Sequence, residues 1–178
     1  MSALKKILVA VAAILIIAVA VGFTLPKEYE VKRSIVINAS PQTIYANVVD
    51  LKAWPKWGVW FKRDPAMEVT YKGPDRAIGM RSEWISESEG SGQMEITELE
   101  HNKRMVYSLY FPEFEMGSTG QFELEPIGDG ETRVTWVDKG EVGNNPVERY
   151  FVLMMDDMIG PDFEKGLENL KTVSENQS

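Results

Sequence analysis

Val31–Trp57 reads VKRSIVINASPQTIYANVVDLKAWPKW. It opens on the tail of an alternating, β-branched run, Glu28–Ile37, which predicts a strand. Ser40 then offers a hydroxyl to cap a helix, and Pro41 suits the first helical position because no hydrogen bond is lost there. Ile44, Tyr45 and Val48 give that helix an apolar face, and it ends near Asp50. The remainder belongs to LKAWPKWGVWF, Leu51–Phe61, which holds three of the chain's five tryptophans. Pro55 and Gly58 interrupt it, so the pattern predicts a helical turn or two rather than a long helix. Trp54, Trp57 and Trp60 therefore either fill a core or border an opening.

Downstream the period is two. Met67–Lys72, Met80–Glu87, Gly92–Glu100, Arg104–Phe111, Gly117–Pro126 and Thr132–Val142 read as strands, and KGPDRAIG, SESEGSG, EHNK, PEFEMG and IGDGE separate them with turn chemistry. Such spacing predicts an antiparallel meander. From Pro146 the spacing turns helical: PVERYFVLMMDDM, then DFEKGLENLKTVSE with Phe163, Leu167 and Leu170 on one stripe. Gly160-Pro161 predicts a break between the two halves, with Asp162 capping the second. The expected class is α+β, a sheet whose apolar face is covered by the terminal helix.

Upstream the material changes. Ile7–Leu25 is 19 residues without a charge, behind Lys5 and Lys6. A helix of that length is about 28 Å long, close to the bilayer's hydrocarbon thickness. Ala18-Val19-Ala20 offers a signal-peptide cleavage site, which would leave the rest secreted. The apolar run continues past it and exceeds the usual signal core, which favours an uncleaved single-pass anchor. The expected division is residues 1–26 as anchor or signal peptide and 27–178 as the folded domain. The short tail would stay cytoplasmic, with the domain on the periplasmic or extracellular side of the cell membrane.

The chain carries 19 basic and 27 acidic residues, net −8, and only Lys5 and Lys6 of its charges precede Pro26. The rest is thus at −10, which argues against nucleic-acid partners and against electrostatic adhesion to anionic lipid. Cysteine is absent, which excludes disulfides, thiolate metal sites and cysteine nucleophiles. His101, the only histidine, lies in a turn sequence, so no metal site, cofactor or Ser/His/Asp arrangement is expected. The oligomeric state is not legible.

Val31–Tyr45 (V-x-R-S-I-x-I-N-A-S-P-x-x-I-Y), Asp50–Trp57 (D-L-x-x-W-P-x-W), Thr132–Trp136 (T-R-V-T-W) and Asp162–Lys171 (D-F-E-K-G-L-x-N-L-K) together resemble the START-like, or SRPBCC, superfamily of polyketide cyclases and lipid-transport proteins. The likeness covers about Tyr29 to Ser174 and is nearest to membrane-anchored bacterial members. It implies a helix-grip fold: an antiparallel sheet curled around a long C-terminal helix, with a cavity between them. It also implies a hydrophobic small molecule or lipid as partner, with a cyclase-like enzyme as the alternative. A ligand-free accessory or interaction domain is the third reading.

On that fold the strand alternation assigns inward faces. Trp60 and Phe61, beyond Gly58, are expected at the ligand. Trp84, Met94, Tyr107, Leu109, Phe122 and Trp136 are expected to line the cavity with Phe151, Met154, Met155 and Met158 of the helix, though a packed core would show the same pattern. Asp138 shares the parity of Trp136 and is expected to hold a ligand hydroxyl or pair with Arg81. Asp156 and Asp157 point about 100° apart, so they cannot share one pocket. Glu113 and Glu115 are expected in a loop at the cavity mouth. Asp138, Tyr107 and Arg81 are the candidates for acid–base work, and no catalytic residue is assigned.

Overall fold

The computed structural model describes residues 2–177. Strand β1 is Glu28–Ile37, as the alternation predicts. Helix α2, Pro41–Val49, follows α1, Ala3–Gly22, with the Ser40 hydroxyl accepting the Thr43 N–H at its start. A 3-10 helix at Leu51–Lys56 and the one-turn α3, Trp60–Arg63, carry the tryptophans. The meander is β2 (Glu68–Lys72), β3 (Arg81–Ile85), β4 (Gly92–Glu100), β5 (Arg104–Phe111), β6 (Met116–Gly128) and β7 (Glu131–Glu141). The one-turn α4, Arg149–Val152, and the long α5, Met155–Glu175, complete the chain.

The seven strands form one antiparallel sheet in the order β1-β7-β6-β5-β4-β3-β2. That order places β1 and β2 at opposite edges, so the connection between them must cross the sheet. It crosses the inner face, and this is why Trp54 and Trp57 end up inside. Both are buried, and their indole N–H groups donate to the Val48 and Asn47 carbonyls. Buried indoles need such partners. The fold is the α+β helix-grip arrangement, with α5 lying along β1 and an apolar helix ahead of it.

The terminal helix departs from expectation. It runs unbroken through Gly160-Pro161, and the interruption falls at Leu153–Met154 instead. Arg33 of β1 supplies the reason. Its guanidinium binds Asp156 before the Gly-Pro pair and Glu164 after it. A Cβ on Gly160 would lie 2.0 Å from that guanidinium, so glycine is what lets the helix settle there. Tertiary contacts on both sides of Pro161 outweigh its local cost. Asp162 is consequently mid-helix rather than a cap.

The core is one cluster under α2 and the C-terminal part of α5, including Ile37, Ile44, Val134, Leu167 and Leu170. Trp136 is stacked against Phe163 at 3.9 Å and against Phe122 at 4.7 Å between ring centres.

Candidate functional site

Toward the β2 edge the interior does not close. A cavity of about 220 Å³ lies between the sheet, α3 and the first half of α5. Val69, Trp84, Met94, Leu109 and Phe111 line it from β2 to β5, Trp60 and Phe61 from α3, and Ile159 and Phe163 from α5. Trp54 reaches it from behind.

Three of its aromatic residues share one construction. Tyr29, Trp84 and Tyr107 each stand directly opposite a glycine on the neighbouring strand: Gly140, Gly92 and Gly120. A Cβ on those glycines would lie 2.4, 2.3 and 1.9 Å from the facing side chain. The rings therefore lie down across the sheet instead of standing up from it, and the space above them is left open. Glycine in a strand interior marks such close approaches.

One end of the cavity is polar. Asp138 is buried, and its carboxylate accepts from the Ser118 hydroxyl at 2.9 Å and from the Tyr29 hydroxyl at 3.4 Å. Burial pushes its acid up to about 6, against the downward pull of those two hydrogen bonds. Burial and the nearby Asp138 charge push Tyr29 up to about 12. Tyr107 is raised further still, by burial above all, and its oxygen accepts the Trp136 indole N–H at 2.9 Å. Both phenols stay protonated. No cation joins Asp138: Arg81, expected as its partner, binds Glu95 and Glu83 on the sheet instead.

At the other end an ion-pair clamp borders the cavity. Arg63, the last residue of α3, makes two-pronged contacts with Glu89 and with Asp162, at 2.7–3.0 Å. The clamp ties α3, the β3–β4 loop and α5 together. Among the described residues, Glu89, Asp138 and Asp162 are the charged ones in the lining, and no lysine, arginine or histidine lines the space. Among the described residues no three histidine or carboxylate side chains converge as a metal site.

Of the residues expected at the ligand, the structure gathers Trp60, Phe61, Trp84, Met94, Tyr107, Leu109 and Asp138 around this cavity. Phe122 and Trp136 face inward but sit in the closed part, fully buried among other rings. Met155 packs half-buried on the core. Phe151, Met154 and Met158 are corrected outright: they are more than half exposed, because the break at Leu153–Met154 turns that face of the helix away from the sheet. Glu113 and Glu115 stay outside the lining, in the β5–β6 turn, and His101 sits at the surface edge-on to Tyr45.

The sequence reading passed over Tyr29, Ser118, Ile159 and the Arg63 clamp. Tyr29 shares the parity of the buried Val31 and Ile37, and the lone glycines inside β6 and β7 were a further signal. The clamp joins residues far apart in the chain, and no local pattern announces it.

The model of the family described as "Polyketide cyclase / dehydrase and lipid transport" matches residues 28–175. No curated protein matches the chain. Among solved structures, a protein of unknown function from Staphylococcus aureus superposes with a TM-score of 0.66 at 14% identity, covering 84% of this chain and 95% of that one. The Aha1 dimer from Colwellia psychrerythraea gives 0.56 at 21%, covering 82% and 96%. The di-domain aromatase/cyclase BexL of the BE-7585A biosynthetic pathway gives 0.62 at 17%, covering 82% of this chain but 46% of that one. At these identities the structural likenesses establish the fold alone. The family match spans most of the chain and agrees with the apolar cavity found between sheet and helix. The chain therefore belongs to the polyketide cyclase/dehydrase and lipid transport family, as a hydrophobic ligand-binding domain.

Proposed function

We propose that the protein is a membrane-tethered binding protein for an uncharged, mainly apolar molecule or lipid that carries one oxygen function. In this reading residues 1–26 are a single-pass anchor, and 27–178 form the binding domain on the side of the membrane away from Lys5 and Lys6. The observation that carries the ligand class is the lining: apolar and aromatic walls, a Tyr29–Ser118–Asp138 cluster at one end, and no cation. A carboxylate ligand would meet the Asp138 charge without compensation, whereas a hydroxyl or carbonyl finds hydrogen-bond partners. About 220 Å³ is below the usual range for drug-sized ligands. The cavity thus suits a small molecule, or one part of a longer one that leaves by the mouth.

The test is native mass spectrometry and organic extraction of the full chain from its own membrane. It is followed by displacement of a neutral polarity-sensitive dye with a fatty alcohol and a fatty acid of equal length. A discrete neutral mass and displacement by the alcohol alone, at pH 8, are expected. Equal displacement by the acid would sink the assignment of ligand class.

One observation favours a second reading, a cyclase-like enzyme. Asp138 is buried in the cavity with an acid strength shifted to near neutrality, beside two protonated phenols. Such a group can exchange protons at working pH. If the extracted molecule is recovered chemically changed after incubation, and Asp138→Asn stops the change, the enzyme reading replaces the carrier.

A further inference from the structure

Val147, Phe151, Leu153, Met154 and Met158 are each more than half exposed, and together they make the α4 region and the start of α5 apolar on the outside. This strip is not free of its surroundings. It is fastened to the end of α1, among the described residues the one helix long and apolar enough to cross a membrane. Arg149 donates to the Phe23 carbonyl at 2.8 Å and to the Leu25 carbonyl at 3.3 Å, with its guanidinium 5.9 Å from the Phe23 ring centre. Tyr150 donates to the Ala18 carbonyl at 2.7 Å. Gly22 is buried against Pro146, and a Cβ there would lie 2.4 Å from the Pro146 carbonyl oxygen.

These contacts set a depth. Helix α1 has 20 residues, so it is about 30 Å long, the thickness of a bilayer's hydrocarbon core. If its ends sit at the two interfaces, Gly22–Leu25 lies at headgroup level, and so does the segment bonded to it. Ala18 is one turn further in, about 6 Å. Interfacial helices bury their apolar face about 5–10 Å into the headgroup and acyl boundary, and tyrosine and arginine are the side chains that tolerate that level.

We infer that Val147–Met158 is a lipid-docking strip, lying in the membrane interface beside the exit of α1 and holding the domain in one orientation on the bilayer. The inference rests on the anchor reading given above. The occupant is lipid because the strip continues the apolar surface of α1 and is fixed to its last turns. The lipid is zwitterionic in preference to anionic, since Asp156 is already paired with Arg33 and the remaining charges of the strip, Glu148 and Asp157 against Arg149, leave it net negative. Ile159, the residue after Met158, lines the cavity, so the strip also leads from the bilayer to the ligand's space.

The absence of cysteine makes the test direct. The full chain, carrying Met154→Cys, Ile14→Cys or Glu125→Cys, is labelled with a polarity-sensitive fluorophore and reconstituted into phosphatidylcholine vesicles. Glu125 is an exposed control near the β6–β7 turn, the end of the sheet away from α1. Expected are a blue shift, quenching by nitroxide lipid and lost iodide quenching for Met154→Cys and Ile14→Cys, with iodide quenching kept for Glu125→Cys. Iodide quenching of Met154→Cys equal to that of Glu125→Cys, with Ile14→Cys in lipid, would overturn the strip and spare the anchor. Iodide access at Ile14→Cys would overturn both. Shielding of Met154→Cys from iodide and from lipid alike would assign the strip to a protein surface, a second copy first, and refute the lipid.

Discussion

The two ends of this interior are built from the same kinds of residue and do different things. Beneath α2 and the C-terminal part of α5, Trp57, Phe122 and Trp136 pack ring on ring and are fully buried. Toward β2 and β3, Trp60, Phe61, Trp84 and Leu109 are only half-buried and border empty space. Composition does not separate the two. Coverage does: α2 and α5 lie over the β1, β5, β6 and β7 side, while the far edge has one turn of helix and the Arg63 clamp. Removing a ring from the closed end should cost stability, and altering the open end should change binding.

The largest effect is expected from Trp136→Ala. It removes a fully buried ring from between Phe122 and Phe163 and leaves the Tyr107 oxygen without its donor. A loss of about 3–5 kcal/mol is expected in urea denaturation. Dye affinity at a temperature where the variant is folded should change far less. A large loss of affinity with little loss of stability would erase the distinction between the two ends.

Gly120→Ala comes next and acts on the boundary. Its new methyl would lie 1.9 Å from the Tyr107 ring, so the ring must rise toward the cavity. Overpacking of this kind costs about 1–3 kcal/mol. Here it should also shrink the cavity, so stability and dye uptake should fall together. An unchanged dye affinity would mean that the flattened ring does not hold the space open.

Much of this contrast was legible beforehand, and the part that was not has physical reasons. Period-two alternation places Met94, Tyr107 and Leu109 on the inner face, and the Ser40-Pro41 start of α2 is a local signal that the structure obeys. Alternation says inside or outside, though, never packed or open, so Phe122 and Leu109 looked alike. The helical period likewise could not say which way Met154 and Met158 would face. That depended on where the helix broke, and Arg33, more than a hundred residues away, moved the break.

Asp138→Asn probes the polar end of the cavity. The acid of Asp138 is raised from 3.8 to about 6 in the folded protein. The folded state therefore holds a proton that the unfolded chain has already released between those values. Stability from this group is full below about pH 4 and is lost as pH rises through about 6. Above that the buried charge costs on the order of 2–3 kcal/mol, by the linkage of one pH unit to 1.36 kcal/mol. The asparagine variant should thus gain on wild type as pH goes from 4.5 to 8, by up to that amount, in melting temperatures measured side by side. A constant difference across that range would show that Asp138 is not desolvated.

The smallest effect on stability, and the most local one on binding, belongs to Arg63→Met. The arginine is about half exposed, so its ion pairs contribute little to folding, about 1 kcal/mol at most. Glu89 and Asp162 are less exposed than their partner, and without it they repel across the cavity's edge. The α3 turn carrying Trp60 and Phe61 then loses its tie to α5. Dye release in stopped flow should become faster while the denaturation midpoint barely moves, because the closed end does not depend on the clamp. High salt should speed release from wild type in the same direction and leave the variant unchanged, since screening weakens only charges that are still paired. Unaltered release in the variant would mean that the ligand leaves elsewhere, and that Arg63 ties the chain together without guarding the opening.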